Sequence, residues 1–202
     1  MGRKILLFVL GMVILSFLPV AFAEAMVGEK APEFTATDIA GKEVSLAQYK
    51  GSYVVLEWMN YDCPFVKRHY APGQMQALQK EVTDKGVVWI SINSSAPGKQ
   101  GNYPAEKWQK MVKEKAAFPT TVILDGDGKI GHLYDAKTTP HFFVVNPDGV
   151  LIYQGAIDSV PTTDVEEGTG AINYVRQALE EAMSGKAVSE SETKSYGCSV
   201  KY

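Results

Sequence analysis

The chain has 202 residues, a formal net charge of −3, 46% hydrophobic residues and two cysteines. This length and composition favour one globular domain with an adequate hydrophobic core, and two cysteines are too few for a disulfide-rich scaffold. No run of Lys or Arg suggests nucleic-acid binding, so that class of function is excluded.

The first segment predicts export. Gly2-Arg3-Lys4 is basic, residues 5–20 are almost wholly apolar, and Ala21-Phe22-Ala23 has the small-x-small pattern of a cleavage site. We interpret residues 1–23 as a secretory signal peptide and expect a mature periplasmic or extracellular protein that begins at Glu24. The alternative is an uncleaved membrane anchor, because the apolar run is about long enough to span a bilayer. No second apolar span follows.

Strands and helices then alternate along the chain. In chain order, the patterns predict a hairpin over 33–46, a strand over 53–59, a helix over 64–85 broken at 71–73, a strand over 87–92, a helix over 104–117, a strand over 120–124, a short helix to 134, a hairpin over 142–153 and a helix over 171–184. This order predicts an α/β layer fold with a mixed sheet. We expect one domain over residues 24–186, followed by a polar tail over 187–202.

Cys63 lies where an apolar strand ends and Pro64 opens a helix. Unpaired N–H groups and the positive end of the helix dipole favour a thiolate at this position, and the thiolate is the reactive form of cysteine. Pro64 suits the first helical position, because its missing N–H would have no partner there. We therefore interpret Cys63 as a redox nucleophile; the alternative is a buried structural cysteine at a strand end.

Three features of the chain occur together in one fold family. Cys63-Pro64-Phe65-Val66 stands in the place of a Cys-x-x-Cys motif, Thr139-Pro140 directly precedes a hairpin strand, and Glu57 lies six residues before Cys63. Over residues 28–185 the chain resembles the thioredoxin-like fold, in its exported redoxin and peroxiredoxin-like branch, which is related to the alkyl hydroperoxide reductase and thiol-specific antioxidant proteins. The resemblance implies a three-layer fold, with a central mixed sheet flanked by helices and an added N-terminal β-hairpin.

The chain also departs from that family. Val66 replaces the second cysteine of the motif, so a disulfide within the motif cannot form. The peroxiredoxin signature would need Pro at 56 and Thr at 60, where this chain has Leu56 and Asn60. We therefore expect thiol–disulfide exchange to be faster than peroxide reduction. Asn60 is a candidate donor of a hydrogen bond near the sulfur.

Other residues near the thiol are candidates by type and by the resemblance. Glu57 in an apolar strand should have a raised pKa and could move a proton for Cys63 or a departing thiol, unless its carboxylate reaches solvent at the sheet edge. The resemblance implies a cis Thr139–Pro140 bond that turns Thr139 toward Cys63 to pair with an extended thiol substrate. Trp58 and Phe65 are candidates for an apolar platform, although Trp58 also fits plain core. Tyr61 is predicted at the surface. Lys67 and His69 on the following helix could support a thiolate electrostatically, but we favour a solvated helix face for both.

Cys198 is the second informative residue, because the polar tail presents the only other thiol of the chain. Cys198 lies 13 residues beyond Gly185, and a segment of that length could span roughly 43 Å when extended, so the tail can reach Cys63. Cys198 would then attack an adduct at Cys63 and release the product. The alternatives are a static structural bridge and a disulfide to another chain.

The sequence thus predicts an exported thiol–disulfide oxidoreductase that uses Cys63 and is resolved by Cys198. A thiol peroxidase and a non-enzymatic module that holds clients through a mixed disulfide are the alternatives. We expect no dissociable cofactor, but a reducing thiol partner and a disulfide or hydroperoxide substrate. The three histidines lack metal-type spacing, so no metal site is predicted.

Overall fold

The computed structural model describes residues 24–202, so the predicted signal peptide lies outside the described residues. In chain order the elements are β1 (Thr35–Thr37), β2 (Glu43–Ser45), a short 3-10 helix (Leu46–Tyr49), β3 (Val54–Trp58), α1 (Pro64–Tyr70), α2 (Gln74–Asp84), β4 (Val88–Asn93), α3 (Ala105–Glu114), β5 (Thr121–Leu124), α4 (Lys129–Leu133), β6 (Thr138–Thr139), β7 (His141–Val145), β8 (Leu151–Gly155), α5 (Tyr174–Met183) and β9 (Cys198–Ser199).

Five strands form the central sheet in the order β5-β4-β3-β7-β8. Strands β3, β4 and β5 are parallel, whereas β7 runs antiparallel to both β3 and β8, so the sheet is mixed as predicted. β3 lies at the centre, and a short turn over residues 59–62 leads from its carboxyl end to Cys63. The predicted N-terminal hairpin forms a separate two-stranded sheet of β1 and β2.

Each face of the sheet carries its own hydrophobic core, because side chains alternate between faces along a strand. Val55 and Met59 belong to the core that also contains Cys63 and side chains of α1, α2 and α5. Leu56 and Trp58 belong to the opposite core, which α4 and the N-terminal hairpin cover. The three-layer thioredoxin-like fold is therefore confirmed.

The structure refines several element ends. The last helix begins at Tyr174 rather than 171, because the Asn173 side chain accepts a hydrogen bond from Arg176 N at 2.8 Å and caps the helix. The predicted helix break at 71–73 is present between α1 and α2, where Gly73 has a φ of 81°. The two shortest strands, β6 and β9, were not predicted; they form a separate two-stranded sheet that joins the C-terminal tail to the segment just before β7.

Candidate active site

Cys63 is the N-cap residue of α1, with Pro64 at the first helical position. The turn that delivers it from β3 is held by Asn60. The Asn60 carbonyl accepts a hydrogen bond from Cys63 N at 3.0 Å, and its side-chain oxygen accepts one from Asp62 N at 2.9 Å. Cys63 is fully buried. The thiol thus lies at a helix N-terminus, as predicted, but beneath other residues.

The segment that covers Cys63 contains the Thr139–Pro140 peptide bond, which is cis. The Thr139 carbonyl oxygen lies 3.0 Å from the Cys63 Sγ and accepts its hydrogen bond. The structure therefore brings Thr139 to the thiol.

The C-terminal tail completes the site. β9 pairs antiparallel with β6, so that Cys198 lies opposite Thr139. The Cys198 Sγ is 2.8 Å from the Cys63 Sγ, and both cysteines are free thiols. The tail is held beyond the site too, because Val200 N donates to the Lys137 carbonyl at 3.0 Å. Residues 187–202 are therefore packed against the domain along much of their length.

The two thiols differ in acidity. Burial raises the pKa of Cys63, but hydrogen bonds from the Cys198 thiol and the attraction of the Val66 backbone N–H outweigh burial and lower that pKa below its ordinary value. For Cys198, burial and the adjacent Cys63 thiolate act in the same direction and raise the pKa to about 11. Cys63 is therefore the more acidic thiol of the pair.

Glu57 is fully buried on the central strand, so the alternative of a solvated carboxylate at the sheet edge is wrong. Four donors surround its carboxylate, and we call these five residues the Glu57 cluster: Glu57, Tyr70, Gln79, Trp89 and Ser91. The closest donors are Trp89 Nε1 and Ser91 Oγ, each at 2.8 Å. Burial raises the Glu57 pKa, although the four hydrogen bonds oppose that rise. The carboxylate lies on the same side of the sheet as Cys63, but its hydrogen bonds are to these four side chains and not to the thiol.

Two of the predicted site residues are elsewhere. Asn60 Nδ2 donates to the Gln100 carbonyl at 3.2 Å rather than to the sulfur, so its part is to shape the turn. Trp58 is adjacent to Glu57 on β3, and adjacent side chains of a strand point to opposite faces of the sheet. Trp58 therefore lies in the opposite core, where it packs on Tyr134 and Phe143. Trp58 is thus plain core and contributes no platform beside the thiol.

The aromatic and basic neighbours divide between surface and core. Phe65 is half-buried near Cys63, but its ring packs against Tyr196 of the tail, with centroids 5.9 Å apart. Lys67 is exposed as predicted. The predicted exposure of Tyr61 is wrong, because its ring is buried between Tyr70 and Trp108.

His69 is also buried, contrary to the prediction, and it belongs to a group that the sequence analysis missed. We call this group the tail cluster: Arg68, His69, Asp158 and Tyr196. Arg68 and Asp158 form an ion pair at 2.8 Å, with side-chain exposures of 1% and 7%. The sequence signal for this cluster is weak. It consists only of an Arg on the hydrophobic face of a predicted helix, where a buried Arg would need a charged partner.

Within residues 24–202, no helix is both long and apolar enough to cross a membrane. The same residues contain no group of three or more His, Cys, Asp or Glu side chains arranged to hold a metal ion.

Comparisons with known proteins identify the family and its thiol-redox relatives. The family model described as AhpC/TSA matches residues 27–154. The thiol-disulfide oxidoreductase ResA of Bacillus subtilis (strain 168) is 27% identical over 125 residues, which cover 62% of this chain and 64% of that protein. The match therefore spans less than two thirds of the relative's length.

Solved structures support the same fold. The crystal structure of an uncharacterized conserved protein from Geobacillus kaustophilus matches with a TM-score of 0.74 and 27% identity, covering 88% of this chain and 92% of that one. A putative thiol:disulfide interchange protein DsbE from Chlorobium tepidum matches with a TM-score of 0.52 and 26% identity, covering 65% and 85%. The chain therefore belongs to the AhpC/TSA family and has a thioredoxin-like fold.

Proposed function

We propose that the protein is an exported thiol–disulfide oxidoreductase in which Cys63 attacks the substrate and Cys198 resolves the adduct. The observation that carries this proposal is the 2.8 Å contact between the two sulfurs, with Cys198 seated opposite Thr139 by strand pairing. The relatives named as thiol-disulfide oxidoreductases support the same reaction class. The predicted leader over residues 1–23 supports export.

The reaction takes two exchange steps. The Cys63 thiolate attacks one sulfur of a substrate disulfide, forms a mixed disulfide and displaces the other substrate sulfur as a thiolate, which takes up a proton. The Cys198 thiolate then attacks the Cys63 sulfur, forms the Cys63–Cys198 disulfide and releases the second substrate thiolate. A dithiol partner reduces this disulfide by two further exchanges and is itself oxidised to a disulfide.

The coupling between the thiols sets the order of attack. Cys63 has the lowered pKa and is the first nucleophile. Besides burial, the Cys198 pKa is raised by its hydrogen bond and its charge repulsion with Cys63. Both of those effects end when Cys63 enters a mixed disulfide, so Cys198 becomes more acidic at the step where it must act.

Access to Cys63 requires movement of the tail. Cys63 is fully buried, and β9 occupies the edge of β6 beside it. A protein substrate can pair with Thr139 and Pro140 only after β9 leaves, and Phe65 would then offer its ring as an apolar contact. In this proposal those three residues bind substrate, and Glu57, with its raised pKa, remains a candidate for proton transfer.

A thiol peroxidase is the second candidate, and the AhpC/TSA family match favours it. The Cys63 thiolate would attack a hydroperoxide, forming a sulfenic acid and releasing an alcohol after protonation. The Cys198 thiol would condense with the sulfenic acid to give the same disulfide and one water. Leu56 and Asn60 stand against this candidate, because they replace the signature residues of that chemistry.

Multiple-turnover assays test the proposal. Reduction of a model disulfide and of a hydroperoxide is followed with an excess of dithiol, for the unchanged protein, Cys63→Ser and Cys198→Ser. We expect no turnover for Cys63→Ser, strongly reduced turnover for Cys198→Ser, and a larger second-order constant for the disulfide. Full turnover of Cys198→Ser would exclude Cys198 as the resolving residue, and a much larger peroxide constant would establish the second candidate.

A further inference from the structure

The tail meets the active-site helix through one tyrosine. The Tyr196 hydroxyl donates to Asp158 Oδ1 at 2.5 Å and accepts a hydrogen bond from Arg68 Nη1 at 3.0 Å. The Tyr196 ring also packs edge-on against Phe65. Arg68 and Phe65 both lie on α1, whose N-cap residue is Cys63. Tyr196 therefore joins the tail to the same helix that carries the nucleophile.

The site that receives this hydroxyl is buried and held by several hydrogen bonds. Arg68 also donates to the Val160 carbonyl at 2.9 Å, so several polar partners hold the guanidinium in place. Gly168 closes over it so tightly that a Cβ atom there would lie 1.9 Å from Arg68 Nη2. A hydrogen bond to such desolvated charged groups is worth more than one at the surface.

The path from Tyr196 to Cys198 leaves little freedom. Gly197 separates them, with a φ of 142° and so little space that a Cβ atom would lie 2.1 Å from the Thr139 carbonyl oxygen. Because only one residue intervenes, the position of Tyr196 constrains where the Cys198 sulfur lies. Neither Tyr196 nor Gly197 is needed for the chemistry of a thiol.

We infer that Tyr196 is a positioning residue that docks the tail on the buried Arg68–Asp158 pair and so holds Cys198 against Cys63. This inference rests on the proposed function, because it assigns Tyr196 a part in resolution by Cys198. Docking has two opposite consequences. It slows the first step, because the docked tail keeps an external disulfide away from Cys63. It speeds the second step by raising the local concentration of the Cys198 thiol.

An aromatic disulfide reagent, dithionitrobenzoate, separates the two steps. The Cys63 thiolate attacks the reagent and releases one coloured thiolate, and Cys198 then attacks the Cys63 sulfur of the mixed disulfide and releases a second. Stopped-flow absorbance of the reduced protein should show both phases. In Tyr196→Phe, which keeps the ring but removes the hydroxyl, we expect a faster first phase and a second phase slower by roughly tenfold.

Two further variants make the test decisive. Gly197→Ala leaves the buried charges intact but prevents close seating on Thr139, so it should change both phases in the same directions as Tyr196→Phe. Tyr134→Phe is the matched control, because it removes another buried hydroxyl, which donates to the Pro32 carbonyl, and should leave both phases unchanged. Two phases that are unaltered in Tyr196→Phe, or slowed together, would overturn the inference. A single released thiolate per unchanged chain would instead refute resolution by Cys198.

Discussion

The Glu57 cluster and the tail cluster are both buried and polar, and both lie near the helix that begins at Cys63. They differ in where their members come from. The Glu57 cluster is built from β3, α1, α2 and β4, which are all parts of the domain. The tail cluster takes Tyr196 from beyond the last helix. The first cluster is closed within the domain, whereas the second is complete only when the tail is docked.

This difference separates stability from control of the site. Removing a member of the closed cluster should weaken every state of the protein to a similar degree. Weakening the tail cluster should instead change how often the tail leaves Cys63, because locally stabilised segments open independently of the whole fold.

The largest expected effect is that of Glu57→Ala on stability. The substitution leaves the four donors of the buried carboxylate unpaired and should lower the free energy of unfolding by roughly 3–5 kcal/mol. Urea unfolding of the reduced and the oxidised protein measures it. We expect similar losses in both forms. A loss confined to one redox form would show that the Glu57 cluster also depends on the tail.

The tail cluster should respond to acid through His69. Burial lowers the His69 pKa from 6.5 to about 4; the negative charge of Asp158 opposes this shift, and the positive charge of Arg68 adds to it. The unfolded chain therefore binds a proton more readily than the folded one below pH 6.5, so stability falls as the pH decreases from there toward 4. His69 alone should account for about 2 kcal/mol between pH 7 and pH 5.

The comparison of the unchanged protein with His69→Gln measures that contribution by denaturant unfolding at both pH values. His141, whose pKa is also lowered to about 4 by burial, is present in both proteins and serves as a constant background. An equal fall in stability for the two proteins would mean that His69 is not the group responsible.

Removal of the tail should expose the nucleophile. A chain that ends at Ser195 lacks β9 and Tyr196, so the fully buried Cys63 should be alkylated at least about tenfold faster than in the full-length Cys198→Ser protein. Both proteins lack Cys198, so the difference reports the tail itself. Equal alkylation rates would show that the tail does not restrict access to the thiol.

The smallest effect concerns acidity. The Cys198 thiol stabilises the Cys63 thiolate by a hydrogen bond, and a serine at position 198 keeps such a donor whereas an alanine does not. The midpoint of Cys63 alkylation against pH should lie below the free-cysteine value of about 8.5 in Cys198→Ser and should be higher in Cys198→Ala than in Cys198→Ser. Identical midpoints would leave the helix N-terminus as the main source of the lowered pKa.

Much of the fold could be predicted from the sequence, because its signals are local. Local patterns locate the ends of several strands and helices to within a few residues. Examples are the dense apolar run over Val54–Trp58, Pro64 after Cys63 and the Gly-containing hairpin loops. The same local signals placed the thiol at a helix N-terminus, and the resemblance supplied the cis bond before Pro140.

The course of the tail could not be predicted in this way. Residues 187–202 are mostly polar and carry neither a strand nor a helix pattern, so their course to the pairing of Cys198 and Ser199 with β6 depends on long-range partners such as Arg68 and Asp158. The direction of the Asn60 amide was mispredicted for a similar reason, since its nitrogen donates to the carbonyl of Gln100 in a distant loop rather than to the sulfur. Trp58 shows that strand alternation decides between site and core more reliably than closeness in sequence.

The most direct test of the account is a redox titration of the full-length protein with thiol trapping, followed by mass spectrometry of the trapped species. The account predicts one disulfide within the chain, between Cys63 and Cys198, that a dithiol protein opens while the domain stays folded. A bridge that resists mild reductant and whose reduction strongly destabilises the domain would indicate a structural disulfide instead. A Cys198 disulfide to a second chain would contradict the account outright.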